Sequence, residues 1–273
     1  MRKLFGLFLV LMLAGCTKGG EDGGSDGTSA CGLIGLSTKI IGGSDCGPLN
    51  LAPVVRVVAL LSNGMGAAIC SGSMLSQNWV LTATHCFVAS DMGGYEIVGY
   101  GVQIGDAGSE RLIVANGLSI APGLSLSNGR LFNDAALLRL EEAAGIDTLP
   151  VLGSRDPLGG EPGYVYGYGL RRTGVNPTEG NDFKKLEGGE MEIAEVTPNH
   201  IFSVYSGSGV NVCNGDSGGP IVVDVFGQPA IAGVVSMGSV EGCQDGDVTT
   251  FTNLQVPAVF EWITDTVPGV EVR

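Results

Sequence analysis

From residue 40 onward, the chain is a succession of short apolar runs separated by turns, and this pattern is what most constrains its fold. Glycine occurs 46 times among 273 residues, and Gly, Pro, Asn and Ser stand between runs rich in Val, Ile and Leu. Such runs are typical of strands joined by tight turns. We therefore predict an all-β barrel or sandwich, with strand candidates at residues 53–61, 66–71, 79–83, 95–114, 135–140, 163–169, 186–194, 200–205, 221–226 and 230–236.

The apolar spacing changes near the C-terminus. Five apolar residues there recur at close to helical spacing: Val256, Val259, Phe260, Ile263 and Val267. This period predicts a helix over about 256–267.

A serine with small and acidic neighbours is the first candidate for chemistry, in the stretch Cys213-Asn214-Gly215-Asp216-Ser217-Gly218-Gly219-Pro220. A hydroxyl is a poor nucleophile unless a base removes its proton and donors stabilise the oxyanion that forms. The glycines let the backbone bend so that the N–H groups of Gly215 and Ser217 converge. A glycine-rich hairpin turn before a strand would also explain the glycines and the proline.

Two other segments carry groups that such a serine needs. His85 lies in Thr82-Ala83-Thr84-His85-Cys86, and Asp134 precedes the apolar run 135–140. Neutral imidazole can take a proton from a hydroxyl and return it to a leaving group. An aspartate before a buried run is otherwise a common turn or cap.

In the order His, Asp, Ser, these segments resemble the chymotrypsin/trypsin family of serine proteases, and the resemblance covers roughly residues 40–267. It implies two six-stranded antiparallel β-barrels, at about 40–150 and 151–255, and the C-terminal helix. It further implies a serine endopeptidase that forms an acyl-enzyme. Ser217 would attack, His85 would carry the proton and Asp134 would orient His85. The N–H groups of Gly215 and Ser217 would hold the oxyanion.

The resemblance also assigns the cysteines. The chain has seven, and an even number of them in an exported protein suggests disulfides. The family pattern implies Cys70–Cys86 beside the histidine and Cys213–Cys243 beside the serine. With Cys16 assigned to lipid, Cys31 is left to pair with Cys46.

The N-terminus predicts export. A basic start and the apolar run 4–13 are typical of a signal peptide, and Leu13-Ala14-Gly15-Cys16 resembles the lipobox of bacterial lipoproteins. The resemblance implies a signal peptide at 1–15, removed before a lipidated Cys16, and an anchor at the outer membrane, on its periplasmic or cell-surface face. An ordinary secretory signal is the alternative. Residues 16–30 form a polar, flexible tether.

Residues 31–39 are predicted to be a short pro-segment before the protease domain at 40–273. Lys39-Ile40-Ile41-Gly42-Gly43 resembles the family's activation site. Cleavage after Lys39 by an activating protease would free an ammonium on Ile40 that pairs with Asp216. The alternative is that residues 40–41 merely begin a strand.

By resemblance, Ser236, Met237 and Gly238 line the substrate cleft, together with Asn211, Val212 and Thr249 at the specificity pocket. Trypsin-like members carry an aspartate where Asn211 stands. An uncharged floor cannot compensate a buried ammonium, so we expect a small or medium apolar residue at the cleavage site. The alternative is that Asp245 or Asp247 intrudes and restores basic specificity.

Charge and composition exclude some partners. The net charge of −14 disfavours nucleic acid, and two histidines with paired cysteines offer no zinc site, so no cofactor is expected. Asp106 and Glu110 are more typical of a solvated turn than of a calcium site. The expected partners are protein or peptide substrates.

A second hypothesis is a surface-displayed binding or adhesion protein with a protease fold and little activity.

Overall fold

The computed structural model of the chain describes residues 29–38, 46–47, 52–105, 108–170, 185–240 and 243–273. The elements, in chain order, are α1 (Ala30–Leu33), β1 (Ser37–Thr38), β2 (Cys46–Gly47), β3 (Val54–Leu61), β4 (Gly66–Ser76), β5 (Trp79–Thr82), a 3-10 helix (Thr84–Phe87), β6 (Asp91–Met92), β7 (Tyr95–Ile104), β8 (Arg111–Ile120), β9 (Ser125–Ser127), β10 (Arg130–Phe132), β11 (Ala136–Leu140), β12 (Pro162–Gly167), β13 (Glu187–Glu192), β14 (Glu195–Val196), β15 (His200–Val204), β16 (Pro220–Asp224), β17 (Pro229–Met237), β18 (Val248–Asn253) and α2 (Pro257–Thr266).

The first large sheet closes on itself as an antiparallel barrel. Its strands follow the order β3-β4-β5-β11-β8-β7, and β3 also pairs with β7, so six strands form a ring. The short β6 pairs with the beginning of β7 and lies outside this ring. Closure leaves these six strands without a free edge.

The second large sheet has the order β13-β12-β16-β17-β18-β15-β14, again with antiparallel pairings. Its two ends, β13 and β14, are neighbours in the chain, so the sheet curls into a second half-barrel. Helix α2 follows β18. The predicted chymotrypsin-like all-β fold with a C-terminal helix is therefore confirmed, although the second barrel has seven strands in the described residues and is a half-barrel rather than a closed ring of six.

Alternation along the strands divides the buried side chains among three clusters. In β11, Leu138 faces the interior of the first barrel while Leu137 faces the layer between the barrels. In β16, Ile221 and Val223 face the interior of the second barrel while Val222 faces that layer. Both barrels therefore bury one face inside and the other against each other, which explains runs that are apolar at consecutive positions.

A folded N-terminal segment packs against the second barrel. The Ser29 hydroxyl accepts the Gly32 N–H at 3.1 Å and caps α1, and the Tyr166 hydroxyl donates to the Ala30 carbonyl. The apolar side chains of the segment are buried: Cys31, Leu33, Ile34 and Leu36. Ala30, predicted to end the tether, is instead the first residue of α1.

Several strand predictions differ from the structure at their ends. The run predicted at 66–71 continues as β4 to Ser76, and the hairpin β9–β10 was not predicted. Strand β18 was also missed, because its threonines do not form an apolar run. Its three threonines are nevertheless buried, and two of them are bonded through their hydroxyls, Thr249 to Asn211 and Thr252 to the Asp134 carbonyl.

The predicted signal peptide, Cys16 and most of the tether lie outside the described residues, as do Lys39, Ile40 and Asp106. Within the described ranges, no helix has both the length and the apolar run needed to cross a bilayer.

Candidate active site

His85 and Asp134 meet at the junction of the 3-10 helix and the start of β11. The Asp134 carboxylate accepts two hydrogen bonds from His85, one from the backbone N–H at 2.9 Å and one from Nδ1 at 2.7 Å. A carboxylate that is ionised only accepts hydrogen bonds, so Nδ1 carries the proton. Nε2 is then the ring nitrogen that can accept a proton.

Asp134 is completely buried and is held from both barrels. The Ser236 hydroxyl donates to its Oδ2 at 2.6 Å, and the Thr252 hydroxyl donates to its carbonyl at 3.1 Å. Burial by itself raises the pKa of Asp134, but the hydrogen bonds and charge of His85 and the bond from Ser236 outweigh burial, so the pKa lies below its ordinary value. The carboxylate is therefore ionised at neutral pH.

The loop that carries Ser217 packs against the strand that leads to His85. The Ser71 N–H donates to the Ser217 carbonyl at 2.8 Å, and the Gly218 N–H donates to the Val235 carbonyl at 2.8 Å. A Cβ on Gly218 would lie 2.1 Å from Oγ1 of Thr82. Only glycine permits this approach, which brings the Ser217 loop against the residues just before His85.

Two backbone donors beside Ser217 are free. Among the described residues, no protein acceptor takes the Gly215 N–H or the Ser217 N–H. Gly215 has a φ of 100°, a conformation that favours glycine. Two N–H groups without an acceptor, next to a serine hydroxyl, are what stabilises a developing oxyanion.

Ser71 connects this loop to the second barrel, and it was not predicted. Its buried hydroxyl donates to the Gly215 carbonyl at 2.9 Å and accepts the Tyr168 N–H at 3.0 Å. The only sequence signal is a hydroxyl between Cys70 and Gly72, and this does not identify its partners.

Asp216 points into a cavity of about 260 Å³ on the far side of the same loop. Its carboxylate accepts the N–H groups of Cys213 and Gly169, each at 2.8 Å. A Cβ on Gly167 would lie 2.1 Å from Oδ1, so glycine there makes room for the carboxylate. Removal from bulk water raises the pKa of Asp216 to about 6, against the effect of the two N–H groups and with a smaller contribution from the negative Glu187.

A second cavity, of about 410 Å³, lies on the other side of the loop and includes Ser217. Four of the predicted substrate residues line it: Val212, Ser236, Met237 and Gly238. Asn211 and Thr249 do not. Asn211 lines the first cavity, and Thr249 donates to the Asn211 Oδ1 at 3.2 Å. Asp247 lines the second cavity, where its carboxylate lies between Gly238 and Asn211.

The disulfides hold the edges of the site. Cys70–Cys86 joins β4 to the helix of His85, and Cys213–Cys243 joins the Ser217 loop to the segment before β18. Cys31–Cys46 joins α1 to β2. The first two are the pairs that the resemblance implies, and Cys31–Cys46 is the pair that remained once Cys16 was assigned to lipid.

Among the described residues, the one group of side chains close enough to share a metal ion lacks a suitable set of ligand atoms. Cys70, His85 and Cys86 lie close enough to share an ion, but both sulfurs belong to the disulfide and are not thiolate ligands. The Glu110 carboxylate accepts the Gly108 N–H at 2.7 Å and pairs with Arg56 at 3.6 Å. The guanidinium opposes a second cation at this carboxylate.

Comparison with known proteins gives consistent matches. The family model described as Trypsin matches residues 40–263. Chymotrypsin-like elastase family member 1 of Macaca fascicularis is 28% identical over 244 residues, which cover 85% of this chain and 90% of the relative. The protein of the same name from Homo sapiens is 27% identical over 254 residues, which cover 88% and 97%.

We predict that Ser71→Ala lowers the free energy of unfolding by about 2 kcal/mol, because it leaves the buried Gly215 carbonyl and Tyr168 N–H without their partner. Ser73→Ala is the matched control, since Ser73 lies in the same strand, is also buried and has a hydroxyl without a hydrogen-bond partner among the described residues. Its effect should stay within about 0.5 kcal/mol of zero or be stabilising. Urea unfolding measures both, and equal losses would contradict the role given to Ser71.

Proposed function

The chain belongs to the trypsin family of serine proteases and is a serine endopeptidase, and from this premise we propose that His85, Asp134 and Ser217 are its catalytic triad. The observation that carries the proposal is the pair of hydrogen bonds from His85 to the buried Asp134 carboxylate. It fixes the tautomer in which Nε2 can act as a base.

In the proposed reaction, Ser217 Oγ attacks the carbonyl carbon of the scissile peptide bond while His85 Nε2 takes the hydroxyl proton. The carbonyl oxygen becomes an oxyanion that accepts the N–H groups of Gly215 and Ser217. His85 then gives the proton to the leaving amine as the C–N bond breaks. A water, deprotonated by His85, hydrolyses the resulting ester, and Ser217 recovers its proton.

We expect Ser217→Ala and His85→Ala each to lower kcat/KM for a protein substrate by at least about 10⁴-fold, since the residues act as a unit. The assay is hydrolysis of denatured casein by protein cleaved after Lys39. His200→Gln is the control, because His200 is the other histidine and its Nε2 lies 2.8 Å from the Leu131 carbonyl, without a hydrogen bond to Asp134 or Ser217.

Retained activity in Ser217→Ala would overturn the triad assignment. No activity in cleaved, folded wild-type protein would instead favour the binding or adhesion protein, the hypothesis that the family membership disfavours.

Activation by cleavage between Lys39 and Ile40 is also part of the proposal. The new Ile40 ammonium would enter the first cavity and pair with Asp216. Two features support this. The Asp216 carboxylate has no cationic partner among the described residues, and the cavity beside it has apolar walls formed by Val165, Leu170, Val210 and Val212. A trypsin-like activating protease would suit Lys39.

The pH dependence of stability should differ before and after cleavage. In the uncleaved chain, the native pKa of Asp216 is about 6 and its unfolded pKa is ordinary, so the native state binds the extra proton. Its stability should therefore fall as pH rises from about 4 to 6, by on the order of 2–3 kcal/mol from this group. Pairing with an ammonium lowers the pKa and removes this loss.

Thermal unfolding of Ser217→Ala protein across this pH range, uncleaved and cleaved by an added protease, measures the difference. The uncleaved Asp216→Asn variant should lack the dependence. Identical curves for cleaved and uncleaved protein would contradict the pairing.

For location, we propose export by the signal at 1–15, lipidation of Cys16 and anchoring at the outer membrane through the tether at 16–30. The Cys31–Cys46 disulfide spans residues 39–40 and so would keep the anchor attached after cleavage. Burial of Cys31, Leu33 and Ile34 supports the same retention.

We predict that cleaved protein runs as one species on a non-reducing gel and as two after reduction. Cys31→Ser together with Cys46→Ser should abolish the difference. Release of the fragment that begins at Ile40 without reductant would contradict the tether.

The apolar preference expected at the cleavage site stays a prediction of the sequence. Its premise was an uncharged pocket, and the position of Asp247 in the second cavity favours the alternative, in which an aspartate restores basic specificity.

A further inference from the structure

Asp247 places a negative charge on the wall of the cavity that contains Ser217. It lines this cavity together with Gly238 and is only 1% exposed. A Cβ built on Gly238 would lie 3.0 Å from the Asp247 Oδ2, so a side chain at position 238 would crowd this oxygen from the cavity side. Asp245, the other aspartate considered, is exposed and does not line the cavity.

Every hydrogen bond to this carboxylate comes from a neutral group. Oδ1 accepts the Ser239 N–H at 2.7 Å, the Val240 N–H at 3.0 Å and the Ser239 hydroxyl at 3.2 Å. Among the described residues, Oδ2 accepts one hydrogen bond, from the Asn211 Nδ2 at 3.1 Å. No cationic side chain of the described residues pairs with Asp247. The hydrogen bonds fix the carboxylate, but its charge is not neutralised.

A carboxylate without a cationic partner on the wall of a cavity discriminates among ligands. A cation entering the cavity gains an attraction that water screens only weakly, an anion is repelled, and an apolar group leaves the charge without a partner. Oδ2, with one bond, still has acceptor capacity for an ammonium or a guanidinium.

We propose that Asp247 is the specificity-determining residue of this protease and selects lysine or arginine at the residue before the scissile bond. This rests on the proposed function, because the cavity is a substrate pocket only if Ser217 is the nucleophile. The charged residue lies in the segment before β18. Asn211, which stands where trypsin-like members carry their aspartate, donates a neutral hydrogen bond to it. Since Lys39 precedes the activation bond, a second copy of the enzyme then qualifies as the activating protease.

A purely structural role is the competing explanation, because Asp247 also braces the backbone at Ser239 and Val240. Substrate preference separates the two. Loss of a purely structural contact lowers kcat/KM for all substrates alike, whereas loss of a charge that selects the substrate lowers kcat/KM only for the charged ones.

The test compares two peptides that differ only in lysine or norleucine at this residue, with protein cleaved after Lys39. The wild type should hydrolyse the lysine peptide with at least about 10-fold higher kcat/KM. Asp247→Asn should lower the ratio of the lysine to the norleucine kcat/KM by at least about 30-fold. Asp245→Asn, which removes the same charge from an exposed site, should leave the ratio unchanged.

A second measurement uses only the wild-type protein, so it does not depend on whether the Asp247→Asn variant folds. Benzamidinium should inhibit hydrolysis of the norleucine peptide by the wild type at least about 10-fold more strongly than benzamide, which has a similar shape and no charge.

Three results would each overturn the assignment while leaving the endopeptidase intact. They are equal inhibition by benzamidinium and benzamide, a preference of the wild type for norleucine, and a ratio of lysine to norleucine kcat/KM that is the same in Asp247→Asn as in the wild type. Failure of cleaved, folded wild-type protein to hydrolyse either peptide or denatured casein would overturn the proposed function itself.

Discussion

The buried carboxylate of Asp134 is the constraint on which the rest of the structure depends. It belongs to the first barrel and has no exposure to solvent, so it needs donors from the protein. The first barrel supplies two through His85, and the second supplies the Ser236 hydroxyl. An unpaired buried carboxylate costs several kcal/mol. Sliding of one barrel against the other would break the Ser236 bond to a carboxylate that is still buried, and the bonds to His85 orient the imidazole.

The second organising feature is a thin wall shared by two cavities. Val212, Cys213 and Cys243 line both the cavity of Asp216 and the cavity of Ser217. Asn211 lines the first and donates to Asp247 in the second. Close-packed side chains transmit displacement. A group that enters one cavity and shifts the shared residues therefore changes the shape of the other cavity. This gives proposed activation at Asp216 a short physical route to the substrate pocket.

Much of this arrangement could be predicted from the sequence, and the remainder has physical reasons. Turn residues between apolar runs predict an all-β barrel or sandwich, and the two barrels follow from the resemblance that the surroundings of His85 and Ser217 carry. Ser71 could not be found, because its partners Gly215 and Tyr168 are distant in sequence. The sequence placed Thr249 in the pocket and Asp245 or Asp247 there as an alternative, because the segment 244–250 departs from the family pattern and does not fix which residue reaches the cavity.

The central claim is that Ser217 reacts in the site formed by His85, Asp134 and two backbone donors. The most direct test is a crystal structure of the cleaved protein after reaction with a fluorophosphonate. The account predicts phosphorus bonded to Ser217 Oγ, and a phosphonyl oxygen within hydrogen-bond distance of the Gly215 and Ser217 N–H groups. A covalent bond to another serine, or an oxygen directed away from both N–H groups, would contradict it.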